Sequence, residues 1–349
     1  MSITQILPRA RPTALRRSAH LGRVMLVGLV LLGAIAVVAI LALSRGITAI
    51  PLADVFAILL GSGGERVPRI VIWEVRLPRV LMGVLSGAAL AVSGAMLQDA
   101  LRNELAEPGL LGVSTGASLA VAVVVIFNIA VPVGVLPIFA LAGGLAVGFI
   151  ILFATRLTRD PVRMILIGAA LGALFGALIT VVVVLGEPEG LRVLYRFLVG
   201  SMVGRAWEDV ALVAPWIALA LPAALLLARP LNLLQLGDEM AEGLGLPVFR
   251  TRLLIFLVAI ALNAAVVALC GPIGFVALVA PHMVRGVLRT TDARQVLPIS
   301  ALLGALLLTA ADLAAREIFR PAELPVGLVT VALGSPIALL LLRRLITRH

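Results

Sequence analysis

Residues 236–248, with the sequence LGDEMAEGLGLPV, form a polar, acidic segment inside a chain that is otherwise strongly apolar. Three large apolar side chains recur every four residues, which places them on one stripe of a short helix: Leu236, Met240 and Leu244. Carboxylates near the start of such a helix are stabilised by the positive end of its dipole, and the segment carries Asp238, Glu239 and Glu242. Two glycines and a proline within 243–247 end the helix. The apolar stripe either packs on its own protein or docks on a partner.

The composition places this segment in a membrane protein. Of the 349 residues, 62% are hydrophobic and only 13% are charged, and the mean hydropathy is +1.17. Soluble domains contain about 45–50% apolar residues, so we predict an all-α polytopic membrane protein. At about 20 residues for each membrane-spanning helix, the chain accommodates about ten transmembrane helices.

Ten apolar segments are separated by polar connections. They are residues 24–43, 80–97, 110–127, 131–155, 164–185, 210–227, 253–269, 271–288, 297–313 and 326–342. The eighth segment contains Pro272, Gly274 and Pro281, so we expect an interrupted helix, which is tolerated only where protein or a cavity satisfies the free backbone groups. The chain then divides into a basic cytoplasmic tail (1–23), one transmembrane domain (24–342) and a second cytoplasmic tail (343–349). The transmembrane domain includes a polar coupling segment at 229–252.

The arginine distribution predicts the orientation in the membrane. With both termini cytoplasmic, the inner segments hold 18 Arg and 8 acidic residues, a net charge of +10. The outer segments hold 10 Arg and 10 acidic residues, a net charge of zero. This arrangement satisfies the positive-inside rule and places residues 236–248 on the cytoplasmic side. We therefore attribute the basic excess to the membrane surface and expect contact with lipid and not with nucleic acid.

The residue types exclude some chemistry. All 28 basic residues are Arg, and the chain has no Lys. A phosphate-binding P-loop needs a Lys to reach the β- and γ-phosphates, so this chain cannot hydrolyse ATP by that route, and another chain would have to do so. The lone Cys270 excludes an internal disulfide framework or a thiolate metal site, and we interpret it as a small buried hydrophobic residue. We expect no catalytic residue, no bound cofactor and no metal.

Four further stretches, together with 236–248, resemble the FecCD-type permeases of bacterial ABC importers for iron–siderophores, haem and vitamin B12. They are RLPR (76–79) leading into GAALAVSG (87–94); RNELAEPGLLGVSTGA (102–117); GPIGF (271–275) through PHMVR (281–285); and ADLAAR (311–316) followed by ELPVGLVT (323–330) and GSP (334–336). They span about residues 70–340 in the family's order, and only their combination is specific. At Glu104 the family usually has Pro, so this turn departs from the pattern.

The resemblance implies the type II ABC importer permease fold in the bacterial cytoplasmic (inner) membrane. The permease would form a homodimer or pair with a similar permease. Two ATP-binding subunits, which use ATP and Mg²⁺, would bind on the cytoplasmic side, and an extracytoplasmic substrate-binding protein would bind outside. The implied substrate is an iron–siderophore complex or a related metal chelate, with haem or cobalamin as alternatives. In this family the stretch matching 236–248 couples to a groove of the ATPase, which assigns ATPase coupling to Leu236, Asp238, Glu239, Met240, Glu242 and Leu244.

Three arginines fall at the predicted outer membrane edge: Arg76, Arg79 and Arg316. They are either interfacial anchors whose stems lie along apolar surface, or cationic contacts for carboxylates of a binding protein through charge-assisted hydrogen bonds. The resemblance implies the second role. For Arg316, a local ion pair with a nearby acidic residue is the strongest alternative.

Other polar or kinked positions are structural or gating candidates: Gln98, Asn103, Pro108, Pro281, His282 and Arg285. Gln98 and Asn103 are interpreted as hydrogen-bonding residues between helices. His282 and Arg285 lie near the end of the interrupted helix, where a polar cap is favoured over a proton relay, since His282 has no acidic partner at helical spacing.

An ion-coupled secondary transporter is the main alternative function. It requires an ionisable group within the membrane, and Asp312 is the one candidate close to the interior of a span. An intramembrane hydrolase would need a Ser/His or paired-Asp arrangement on facing spans, and the sequence offers none that is convincing.

Overall fold

The computed structural model describes residues 14–62, 65–132, 135–155, 161–186 and 188–346. The predicted tails fall partly outside these residues, at 1–13 and 347–349, and so does the connection at 156–160. The described residues form helices and no β-strand. The helices are α1 (Ala14–Ser44), α2 (Leu52–Leu59), α3 (Arg66–Ile70), a π-helical turn (Val71–Arg76), α4 (Leu77–Leu101), α5 (Val113–Ile126), α6 (Leu136–Thr155), α7 (Pro161–Val184), α8 (Pro188–Val199), α9 (Trp207–Leu226), α10 (Ala228–Leu234), α11 (Asp238–Gly243), α12 (Val248–Cys270), α13 (Val276–Leu288), α14 (Ala293–Glu317) and α15 (Val326–Ile346).

Six stretches of helix in the described part of the chain are long and apolar enough to cross a membrane: Leu21–Ser44, Arg66–Leu101, Leu166–Val184, Trp207–Leu226, Val248–Cys270 and Ala293–Glu317. Four shorter apolar helices lie between or after them: Val113–Ile126, Ile138–Ile151, Val276–Leu288 and Val326–Leu340. Together they coincide with the ten apolar segments of the sequence. The prediction of an all-α polytopic protein is confirmed. Two of the ten segments form helices too short for a full membrane crossing, α5 with 14 residues and α13 with 13.

Helix α4 lies at the centre of the bundle, and almost every residue from Pro78 to Leu101 on it is buried. It packs against α14, α12, α13 and α9. Helix α1 covers the other side of α14, and α15 packs against α13 and α14. Helices α5, α6, α7 and α8 form a neighbouring group that joins the centre where α6 meets α12.

Helices α4 and α14 run antiparallel with their backbones in contact. A Cβ atom placed on Gly87 would lie 2.2 Å from the carbonyl oxygen of Gly304, and a Cβ on Gly304 would lie 2.2 Å from the carbonyl oxygen of Gly87. Small residues at a crossing point allow such an approach in membrane helices. The contact fixes the register of the pair, and with it the residues that meet at each end.

A second glycine contact joins α8, the interrupted region and α15. Cβ atoms on Gly271 and Gly327 would lie 2.0 Å and 1.9 Å from the carbonyl oxygens of Phe197 and Val199, near the end of α8. The backbone N–H of Gly327 also donates to the carbonyl of Gly200 at 3.0 Å. Because backbone touches backbone here, the start of α15 and the break before α13 are both held to the end of α8.

The interruption predicted in the eighth segment is present as residues 271–275, between α12 and α13. Helix α13 begins after Phe275, which has a left-handed backbone with φ of 68°. Pro281 lies within α13, and both it and the N-terminal half of this helix are buried. The break therefore lies inside protein, as the backbone hydrogen-bonding argument requires.

We predict that Gly87→Ala destabilises the protein by about 1–3 kcal/mol, since the methyl group overpacks a closed helix contact. Gly176→Ala on α7 is the matched control, because nothing lies within 4 Å of a Cβ at that position and alanine is the better helix former. The measurement is the thermal unfolding midpoint in detergent. Equal midpoints for the two variants would contradict the close contact.

Candidate functional sites at the two ends of the central helix pair

The polar segment that opened the sequence forms α11, preceded by Gly237 with φ of 104°. Asp238 and Glu239 occupy its first turn, and the helix gives way to Leu244 and then to Gly245 with φ of 85°. We call three side chains the docking stripe, and they are 60%, 58% and 58% exposed: Leu236, Met240 and Leu244. On the opposite side of α11, Ala241 is fully buried against the rest of the chain. The stripe is thus uncovered by the described residues of its own chain.

Asp238 fixes the orientation of α11. Its carboxylate accepts hydrogen bonds at 2.7 Å and 2.9 Å from the two terminal nitrogens of Arg252 on α12. Arg102, at the end of α4, lies 3.9 Å away and lines an open groove together with Leu236 and Met240. Arg252 is buried, so this bidentate pair is a strong, geometrically specific contact. The sequence assigned Asp238 to a partner ATPase, whereas the structure shows that its carboxylate is engaged inside the chain.

Helix α10 ties the same segment to α14. The side-chain amide of Asn232 donates to the Asp292 carboxylate at 2.6 Å. Its oxygen, Oδ1, accepts a hydrogen bond from the backbone N–H of Ala293 at 2.7 Å. Gln235 donates to the carbonyl of Thr291 at 3.0 Å. The residues before α11 are therefore attached to the start of α14, while α11 itself is attached to α12.

Two of the predicted polar residues meet between α4 and α13. Arg285 donates to the Gln98 side chain at 2.5 Å and forms an ion pair with Asp99 at 2.9 Å. Gln98 also donates to the carbonyls of Ala277 and Leu278, each at 3.3 Å. These contacts connect the broken helix to α4 at the same end of the bundle as α11. Asp99, which the sequence did not single out, supplies the charge that balances Arg285.

Glu104, the position that departs from the family pattern, lies beside His282. The Nδ1 atom of His282 is 3.3 Å from the Glu104 carboxylate, which is half exposed. No acidic residue lies near His282 at helical spacing on its own helix. Its acidic partner comes instead from the connection between α4 and α5. Asn103 accepts from the backbone N–H of Leu105 and so shapes the turn, and Pro108 is buried in the same connection.

Glu107, in the connection between α4 and α5, accepts a hydrogen bond from the backbone N–H of Phe275. Burial raises the pKa of the Glu107 carboxyl to about 7, although the hydrogen bond acts in the opposite direction. Glu107 thus connects the α4–α5 turn to the start of α13, next to the interruption, and it titrates near neutral pH.

The three predicted outer arginines meet at the opposite end of the helix pair. We call this group the arginine cluster: Arg76, Arg79, Arg316, Asp312 and Glu323. Arg79 donates to both oxygens of Asp312 at 2.9–3.1 Å and, through Nη1, to Glu323 at 2.7 Å. Arg316 lies 3.3 Å from Asp312.

The arginine cluster also contacts the end of α1 and the residues that follow it. Arg76 donates to the carbonyls of Leu43 and Thr48, and Arg316 donates to the carbonyl of Ala42 at 3.4 Å. Cations are favourable at the carbonyl end of a helix. All three arginines are buried, with 5–7% exposure, so they are internal ion-pair and capping residues in this structure.

The sequence did not assign Arg252, Arg102, Asp99 or Glu323 to these sites. Asp99 and Glu323 pair with residues 186 and 244 positions away, and Arg252 pairs with Asp238 across a turn of the chain, 14 residues away. A possible signal is that buried arginines in apolar helices require acidic partners, and few acidic residues lie in or beside the spans. Among the described residues, no group of three or more His, Cys, Asp or Glu side chains could hold a metal ion.

The fold and these contacts define a multi-pass helical membrane protein with a short helix between two spans that carries exposed apolar side chains. The profile of the FecCD transport family matches residues 34–344. The chain belongs to this family.

Two relatives and one solved structure give the closeness of the match. The Fe(3+) dicitrate transport system permease protein FecD of Escherichia coli (strain K12) is 44% identical over 266 residues, which are 76% of this chain and 83% of FecD. The hemin transport system permease protein HmuU of Yersinia pestis is 41% identical over 283 residues, 78% of this chain and 83% of HmuU. The structure entitled "An inward-facing conformation of a putative metal-chelate type ABC transporter" superposes with a TM-score of 0.80 at 28% identity and covers 90% of this chain and 97% of that one. The chain is a permease of an ABC importer.

The titration of Glu107 predicts a pH dependence of stability. The unfolded chain loses this proton near pH 4.3, whereas the folded chain keeps it until about pH 7. Between these values the folded state binds more protons, so this residue's contribution lowers stability as pH rises through the window, and it levels off above it. Glu107→Gln should remove that contribution. Thermal unfolding from pH 5 to pH 8 measures it, with the exposed Glu208→Gln as control, and an identical pH slope for wild type and Glu107→Gln would contradict it.

Proposed function

We propose that this permease imports a ferric chelate, such as an iron–siderophore complex, and is driven by separate ATP-binding subunits that dock on α11. A second permease copy or a similar permease would complete the pathway, and an extracytoplasmic binding protein would deliver the substrate. ATP and Mg²⁺ would be used by the ATP-binding subunits. The observation that carries the proposal is the uncovered docking stripe on a helix that the chain itself holds rigidly.

The docking stripe suits a partner because its side chains are exposed while the helix that carries them is bonded to α12. Three large apolar side chains are more than half exposed, and their helix connects two spans, outside the apolar part of either. A contiguous apolar patch rimmed by polar residues marks an interaction surface, and Glu239 supplies an exposed carboxylate at this rim. The bidentate Asp238–Arg252 pair would transmit a displacement of α11 to α12.

The charge distribution supports a cytoplasmic position for α11 and for both termini. The connections on the α11 side carry all of the basic excess predicted from the sequence, which favours that side as cytoplasmic. ATP-binding subunits reside where ATP is present, so the same assignment places the docking stripe within their reach. The arginine cluster then faces the outside.

The names of similar proteins support the substrate class. FecD is named for ferric dicitrate, and the solved structure is described as metal-chelate type. HmuU is named for hemin and is almost as similar, so haem is the principal alternative, and cobalamin is the second.

The structure gives the ion-coupled alternative little support. Such a transporter needs a carboxylate that can exchange its proton during transport. Both oxygens of Asp312 accept hydrogen bonds from Arg79, and Arg316 lies beside them. This carboxylate is therefore held in a structural ion pair between α4 and α14.

We predict that Met240→Arg combined with Leu244→Arg abolishes co-purification of the ATP-binding subunit. Both side chains are 58% exposed in the chain alone, so the variant should fold, but docking would bury two unpaired charges at a cost of several kcal/mol. Val287→Arg is the matched control, since Val287 is an exposed apolar residue in the last turn of α13. Retention of the ATP-binding subunit by the double variant would refute docking on α11.

A second prediction concerns energy source and substrate. Proteoliposomes that contain the permease, its ATP-binding subunits and its binding protein should accumulate ferric citrate or a ferric siderophore only with internal ATP, and an uncoupler should have no effect. Haem and cobalamin, tested in parallel, should not be accumulated. Uptake that an uncoupler abolishes and ATP depletion leaves intact would instead identify an ion-coupled transporter.

A further inference from the structure

Arg79 is shared between two carboxylates that differ in their access to solvent. Asp312, on α14, receives three hydrogen bonds from Arg79, and its side chain is only 4% exposed. Glu323 receives one hydrogen bond, from Nη1 at 2.7 Å, and its side chain is 27% exposed. Asp312 is thus the more buried and more extensively bonded partner of Arg79, whereas Glu323 is the more exposed partner and is bonded through Nη1 alone.

The arginine cluster also carries more positive than negative charge. It has three guanidinium groups and two carboxylates, and the neighbouring Arg320 and Glu317 add one charge of each sign. Nη2 of the buried Arg316 has no hydrogen-bond partner among the described residues. A buried charge without full compensation is costly. The cluster therefore favours the approach of a further anion from the open side.

Glu323 lies in the connection from α14 to α15. The backbone N–H of Leu324 donates to the carbonyl of Ala315 at 3.1 Å, and the connection continues into α15, which starts at Val326. The Arg79–Glu323 bond is a side-chain attachment of this connection to α4. Two apolar residues at its beginning, Ile318 and Phe319, are 59% and 60% exposed, and they provide apolar contact area next to the cluster.

We propose that Glu323 occupies the place of a partner's carboxylate: an acidic surface of the extracytoplasmic binding protein replaces Glu323 on Arg79 and so releases the 318–325 connection from α4. The occupant is chosen by charge complementarity, since a positively charged cluster bordered by apolar side chains fits an acidic protein lobe. The proposal rests on the proposed function, which supplies the binding protein. It adds that docking is an exchange of carboxylates, because the arginines are not open in the unpartnered chain.

The exchange predicts that Glu323→Gln strengthens docking. The variant keeps the size of the side chain and removes the competing charge, so the binding protein should bind about tenfold more tightly, the scale of a hydrogen bond to a charged group. Affinity is measured with the permease and its ATP-binding subunits in nanodiscs and the purified binding protein in solution. Glu65→Gln is the control: Glu65 is an exposed carboxylate just before α3 and lies outside the arginine cluster, so the affinity of this variant should stay at the wild-type value.

A second measurement follows the connection itself. Cys270 is buried, so a spin label attaches selectively to Ala322→Cys, at an exposed position beside Glu323. The binding protein should increase label mobility in the otherwise wild-type chain, and Glu323→Gln should raise it before the binding protein is added.

The outcomes separate this proposal from the function on which it rests. If the wild-type complex does not bind the binding protein at all, the proposed partner is wrong. If it binds and Glu323→Gln leaves the affinity unchanged or weaker, or if docking leaves the label as immobile as before, the carboxylate exchange is overturned while the importer function stands.

Discussion

The backbones of α4 and α14 touch where Gly87 faces Gly304, with no side chain between them. Lipid provides no hydrophobic driving force between helices, so their association depends on packing and on polar contacts. In an antiparallel pair, this crossing point fixes the register and so determines which side chains lie opposite each other at the two ends. Arg79 lies eight residues before Gly87, and Asp312 lies eight residues after Gly304, and these two side chains form the buried ion pair.

The other end of the pair follows the same symmetry. Asp99 lies twelve residues after Gly87, and Asp292 lies twelve residues before Gly304. Asp99 binds Arg285 of α13, and Asp292 binds Asn232 of α10. From Arg79 to Arg102 the helix extends about 35 Å at 1.5 Å per residue. One close helix contact therefore aligns the polar network beside α11 with the arginine cluster on the far side of the membrane.

The sequence predicts the local features and misses the distant pairings. The ten apolar segments, the interruption before α13 and the short helix at 238–243 depend on hydropathy, on glycine and proline positions and on a four-residue period, all of which are visible in a short stretch. The motif that contains Arg79 indicates that this arginine matters, but its burial depends on Asp312, 233 residues away. Asp238 shows the same limit, since its place in the first turn is local information and its bond to Arg252 depends on how α11 folds back onto α12.

The docking stripe has a consequence for assembly in the cell. A permease subunit made before its partners would display Leu236, Met240 and Leu244 outside the bilayer, in a form resembling the exposed apolar surface of a misfolded protein. Chaperones and proteases act on such surfaces, so an orphan subunit would be short-lived and an assembled one protected. The stripe on which we propose docking would in this way also keep the amounts of the subunits in balance.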